Sequence, residues 1–131
     1  MEEEAAPKPY MIHFEQRPEY LYAYIEGERD SYQISIAFWR EIARECKARG
    51  TTRVLIDENI VQNVSVAEIY QVASEIPAMF SGIAIAFRDR HAEQADVNEF
   101  GELVAQNRGV IGRFFVDLDA AEKWLLAQRA A

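Results

Sequence analysis

A single cysteine, Cys46, is all that the 131-residue chain carries. No internal disulfide can form, and a lone thiol within a helical pattern suits a reducing compartment, with Cys46 as a core thiol. Positive charge is scarce as well: 14 Lys and Arg stand against 22 Asp and Glu, a formal net charge of −8. That balance works against DNA or RNA, whose affinity comes mostly from cations neutralising phosphates, and against anionic membrane surfaces. Long apolar runs are missing too. None approaches the roughly 20 residues that span a bilayer, so no membrane insertion is expected. The start, Met1-Glu2-Glu3-Glu4, has neither the basic residues nor the apolar stretch of an export signal, and the cytoplasm is the expected location. The chain has no glycine-rich phosphate loop and no serine, histidine and aspartate set in a nucleophile-elbow context. Its two histidines, His13 and His91, fall on different elements. Neither a cofactor, a metal nor an enzymatic activity is expected.

What is present is apolar surface in two periods. Half of the residues are hydrophobic, enough for one sizeable core in one domain. Residues 1–9 hold three glutamates, two alanines and two prolines and read as a flexible acidic tail, leaving 10–131 as the domain. Met11-Ile12-His13-Phe14-Glu15 and Tyr20-Leu21-Tyr22-Ala23-Tyr24-Ile25-Glu26 then read as two antiparallel strands around a turn with Pro18. After Gly27 the period becomes helical, with Ile34, Phe38, Ile42 and Cys46 in one row and Gly50 as the left-handed stop. Val54-Leu55-Ile56 is a short, uniformly apolar and therefore central strand. Asp57-Glu58-Asn59 follows as a polar break, and Ile60 to Val64 as an apolar loop.

Ser65 and Glu68 form an S-x-x-E capping box that opens a second helix, with Val66, Ile69, Tyr70, Ala73 and Ile76 on one side and Pro77 as its limit. Ile83 to Phe87 is a strand, Arg88-Asp89-Arg90-His91 a solvated turn, and about Ala92 to Gln106 a third helix with Val97, Phe100, Leu103 and Val104 inward. Phe114-Phe115-Val116 is the last strand, and Asp119 with Glu122 caps the last helix. The order ββαβαβαβα, with crossovers long enough for helices, gives an α/β domain. Its mixed five-stranded sheet is mostly parallel, has an antiparallel N-terminal edge strand and carries four helices.

Two stretches carry a resemblance. Val54-Leu55-Ile56-Asp57 before a capped helix, and Gly112-Arg113-Phe114-Phe115-Val116-Asp117-Leu118-Asp119-Ala120-Ala121-Glu122-Lys123-Trp124-Leu125, are similar to the STAS-like, SpoIIAA-like domains over about residues 10 to 130. That group includes anti-sigma-factor antagonists and bacterial relatives of the CRAL-TRIO lipid-binding domains. The resemblance implies a regulatory, protein-interaction module. Where phosphorylated antagonists place a serine or threonine directly after the strand, this chain has Asp57-Glu58-Asn59, and the nearest hydroxyl is Ser65.

Ligands in open parallel sheets sit beyond the carboxyl ends of the strands, so that edge is the expected site. Ser65 is a helix cap or phosphoacceptor, and Arg88 and Arg90 are candidate anion contacts. Asp57, Glu58, Asn59, Ile60, Val61, Val64, Glu68 and Tyr70 are the expected interaction surface for a protein partner or a second copy in a homodimer. The alternative is a small apolar or lipid-like molecule bound between the second helix and the sheet.

Overall fold

The aromatic and β-branched residues near the N-terminus pair as expected. In the computed structural model, which describes residues 8–128, Tyr10–Gln16 (β1) runs antiparallel to Leu21–Arg29 (β2), with Ile12 opposite Ile25. Of the tail expected over residues 1–9, only Lys8 and Pro9 are described; both are exposed, and residues 1–7 lie outside the described residues. Arg53–Gln62 (β3), Ala84–Asp89 (β4) and Ile111–Phe115 (β5) add in parallel, giving the order β1-β2-β3-β4-β5. The helices are Tyr32–Arg49 (α1), Val66–Met79 (α2), Ala95–Asn107 (α3) and Leu118–Ala127 (α4), with one 3₁₀ turn at Ala92–Gln94. The α/β class, the mixed five-stranded sheet and the four helices stand as read from the sequence.

Alternation along the strands sends side chains to two different layers. Leu21, Ala23, Ile25, Val54, Ile56, Ile60 and Ile85 pack under Phe38, Trp39 and Ile42 of α1 and Val72 and Ile76 of α2. Tyr20, Tyr22, Leu55, Ala84 and Ala86 face the other way, under Ala121 and Leu125 of α4. Helix α3 joins the first layer by lying against α2, through Val104 and Ala105 on Ala73. The approach is close at Gly101, where a β-carbon would stand 2.9 Å from Ile69 Cγ1, so only glycine fits without a shift. Helix α1 ends at Gly50 in the left-handed conformation, φ 66°. Cys46 is fully buried, and burial pushes its thiol up to about 12, the character of an inert core thiol. Among the described residues no helix is long and apolar enough to cross a membrane.

Several local expectations are corrected. Strand β3 does not stop at Ile56. It continues through Asp57-Glu58-Asn59, which pair with Tyr24, Ile25 and Glu26 on one side, so Ile60 and Val61 are strand residues and the turn before α2 is only Asn63, Val64 and Ser65. Likewise β4 takes in Arg88 and Asp89, because Arg88 pairs with Asp57 and Asp89 with Glu58. Pro77 sits inside α2 rather than ending it; so near the helix end, its missing N–H removes one bond from the last turn. The α4 cap is Asp117, whose Oδ2 accepts from the Ala120 N–H at 3.0 Å, not Asp119. Leu103, expected inward, is exposed; on α2 the side that held Val66 and Tyr70 with Ala73 and Ile76 is split, Val66 and Tyr70 being exposed and Val72 buried.

Candidate functional site

The carboxyl ends of β2, β3 and β4 carry two polar clusters, one on each face of the sheet. On the α4 face, Asp57 is fully buried and accepts three side chains. The Tyr22 hydroxyl donates to Oδ2 at 2.6 Å, Arg88 Nη1 to Oδ1 at 2.8 Å, and Arg90 Nη2 to Oδ2 at 3.0 Å. Arg88 also donates to the Val116 carbonyl at 3.1 Å, and the Arg90 guanidinium lies 4.9 Å from the centre of the Tyr24 ring. Asn59 extends the chain of bonds, donating to the Tyr24 hydroxyl at 3.0 Å and meeting His91 Nε2 through its Oδ1 at 2.9 Å. Burial pushes the Asp57 carboxyl up, but the bonds from Arg90, Tyr22 and Arg88 outweigh it and hold the group below its ordinary range. Tyr22 moves the other way: burial, then the neighbouring carboxylate, raise its hydroxyl to about 12. The cluster is a closed structural network.

The α1–α3 face is arranged differently. Glu58 is 3 % exposed and stands directly opposite Asp89 in the β3–β4 ladder, two carboxyls on one buried face. Asp89 is satisfied by the His91 N–H at 2.8 Å and by Asn98 Nδ2 at 2.8 Å. Asp30, at the junction of β2 and α1, accepts from the Ser31 N–H at 2.8 Å and from the Ser35 hydroxyl at 2.6 Å. Among the described residues no hydrogen bond reaches the Glu58 carboxyl, which opens instead onto a cavity of about 80 Å³. Apolar side chains dominate its wall, among them Phe38, Trp39, Val72, Ile85 and Phe87, with Asp30, Asn63 and Asn98 at the Glu58 end. Burial, then Asp89 and Asp30, push the Glu58 carboxyl well above its ordinary value. Burial likewise raises Asp30 to about 6 against its bonds from Ser35 and Ser31, and raises Asp89. Among the described residues no three His, Cys, Asp or Glu side chains are placed to hold a metal ion.

The residues expected to form one surface are therefore divided. Asp57, Glu58, Ile60 and Val64 are buried, because β3 runs on past its expected end at Ile56 to Gln62 and carries the first three into the sheet. Asn59 is half-buried, whereas Val61 and Tyr70 are exposed. Glu68 is half-buried and binds the Tyr32 N–H through Oε2 at 3.0 Å, tying the start of α2 to the start of α1. Arg88 and Arg90, the expected anion contacts, are committed to Asp57. Ser65 caps α2 as expected: its Oγ accepts from the Glu68 N–H and Glu68 Oε1 accepts from the Ser65 N–H, each at 3.2 Å. Ser65→Ala is expected to cost about 1 kcal/mol, seen as a lower urea midpoint with an unchanged slope. Sequence reasoning missed Asp30, Tyr22 and Asn98, and read Asp89 as part of a solvated turn. The signal for the longer strand was there, since Ile60 continues the alternation of Val54 and Ile56 across the two acids.

An anti-sigma factor antagonist from Mycobacterium paratuberculosis matches this chain with a TM-score of 0.59 at 14% identity, over 93% of this chain and 98% of that one. An uncharacterised protein with a SpoIIAA-like fold from Shewanella loihica matches with a TM-score of 0.53 at 16% identity, over 95% of this chain and 99% of that one. The chain has the SpoIIAA-like fold. No family model and no curated protein matches it. In this SpoIIAA-like fold the two polar clusters occupy opposite faces of the same strand ends, and α2 roofs the cavity on one of them.

Proposed function

We propose that the chain is a non-enzymatic regulatory module that docks a protein partner, or a second copy of itself, through the outer face of α2 and the residues leading into it. The observation that carries this reading is the exposure of two large apolar side chains there, Val66 at 56 % and Tyr70 at 46 %. Val66 and Tyr70 are four residues apart and share one face of the helix. The capping box and the Glu68 bond to Tyr32 hold that helix start in place, as a docking element requires. The likeness in fold to an anti-sigma factor antagonist agrees with a regulatory role. In this reading Ser65 serves as the cap, its hydroxyl already in contact with Glu68, and the protein acts in the cytoplasm.

Sedimentation velocity of the purified chain tests self-association, and affinity capture with defined interaction candidates tests a partner. Val66→Asp with Tyr70→Asp is expected to weaken either complex at least about tenfold, as loss of central apolar contacts does. A complex that survives both substitutions would remove the α2 face from consideration. A second reading, a small apolar ligand between α2 and the sheet, is favoured by the cavity under that helix. Native mass spectrometry would reveal it as a co-purified mass.

A further inference from the structure

We infer that the cavity beneath α2 is a site for a small protonated amine with an apolar body, the Glu58 carboxylate being its counter-ion; this rests on the reading of that cavity as a ligand site. The space is large enough. At about 80 Å³ it exceeds by several-fold the roughly 10–15 Å³ that a single water needs, and reaches about half of the ~150 Å³ of a cavity that admits benzene. Its wall is apolar along α1, α2 and the sheet, through Phe38, Trp39, Val72, Ile76 and Phe87, which suits a short hydrocarbon body of about two carbons. Water alone would leave such a wall poorly served.

The head of the ligand follows from the other end. Glu58 is buried, among the described residues unpartnered, and lines the cavity; Asp89 stands opposite it in the β3–β4 ladder, and Asp30 at the β2–α1 junction lines the same cavity, so the charged groups that act on it are again acids. Beyond them, Glu68 acts on Asp30, and Glu93 and His91 act on Asp89. Arg113 of β5 borders the cavity, but its guanidinium lies 5.3 Å from the centre of the Phe115 ring. An anionic head would meet three carboxyls. A neutral head could accept a bond from protonated Glu58, yet would leave the mutual repulsion of the acids in place once any of them ionised. A primary ammonium supplies up to three donors and a positive charge, matching the free Glu58 oxygens and offsetting the neighbouring acids. A bare metal ion fits poorly, since the wall is apolar and no three acidic or imidazole side chains converge among the described residues. When the ammonium enters, Glu58 gives up its proton to solvent, so binding should tighten as pH rises until the free amine itself loses its charge.

The test uses three small probes of similar shape and different charge: ethylamine, ethanol and acetate. Each is titrated into the full chain and into Glu58→Gln while backbone amide signals are followed by NMR. The expected result is that the amine shifts the amides of Val72, Ile85 and Asn98 with an affinity at least about tenfold above that of the alcohol, as a charged hydrogen bond provides. Acetate should not bind. Glu58→Gln should lower amine affinity about tenfold and leave the alcohol unchanged. Equal binding of amine and alcohol, both indifferent to Glu58→Gln, would overturn the amine assignment while leaving an apolar ligand site standing. No shift with any probe would overturn both. Should the variant unfold, calorimetry of the unaltered chain in two buffers of different ionisation heat, repeated at several pH values, decides the same point: amine binding is expected to release protons over the pH range in which Glu58 titrates, and binding without release at every pH would remove Glu58 as the counter-ion.

Discussion

Asp57→Ala is expected to lower the unfolding free energy by about 3 kcal/mol, the lower end of the range for breaking a buried ion pair by removing one partner. The reason lies in what stays behind. Arg88, Arg90 and the Tyr22 hydroxyl all point at the Asp57 oxygens, and truncation leaves two cations and a phenol without their acceptor under α4. The cost falls at the lower end because the Arg88 and Arg90 side chains are 21 % and 42 % exposed and can recover some hydration. Arg90→Ala should cost only about 1 kcal/mol, since Arg88 and Tyr22 still satisfy the carboxylate and the Arg90 side chain, 42 % exposed, is already partly hydrated. Urea unfolding at pH 7 reads both. Equal costs for the two variants, or an Asp57→Ala effect below about 1 kcal/mol, would show that the network is not what holds this face.

The same network has a signature in acid. The folded Asp57 carboxyl titrates below its unfolded value, so its contribution is present above about pH 4 and lost as pH falls through the folded value. Asp57→Ala should therefore lose part of the acid sensitivity that the unaltered chain has below that pH.

The fold was legible because its signals are local. The helical row from Ile34 to Cys46, the left-handed Gly50 and the Ser65–Glu68 box each lie within a few turns of chain, and each took its expected place. The cluster around Asp57 was illegible for the opposite reason: its partners come from positions 31, 33 and 35 residues away. Read alone, Asp57-Glu58-Asn59 looks like a solvated break, since charges are seldom buried without partners. Only strand pairing shows that Asp57 has cations beside it and Glu58 has another acid. The choice of Asp117 over Asp119 as the α4 cap was likewise decided by packing, because starting at Leu118 brings Leu118, Ala121 and Leu125 onto the sheet. The interaction surface failed as a single surface through the same two-residue period. An extended Asp57–Val61 sends alternate residues to opposite layers, and the extension itself was hidden by the charges.

Glu58→Gln carries the opposite sign from Asp57→Ala: it is expected to stabilise the protein, and increasingly so as pH rises. Gln has the shape of the protonated acid and cannot ionise in the buried position opposite Asp89. A carboxyl whose folded value is raised contributes stability that is complete below its unfolded value, near pH 4, and is lost as pH rises through the folded value. Asp30, raised from 3.8 to about 6 by burial, loses its share across that interval, and Asp89 follows the same direction. Asp57 does not interfere, because its window lies on the acid side. The unaltered chain should accordingly weaken from pH 5 upward. The Glu58→Gln curve should match it near pH 4 and then separate, by at most about 1.4 kcal/mol per pH unit, the slope set by one proton. Urea unfolding at half-unit steps between pH 4 and 8 measures the separation. Parallel curves would mean that Glu58 ionises as freely in the folded protein as in the unfolded chain, and that the cavity at its carboxyl is wet enough to hydrate a charge.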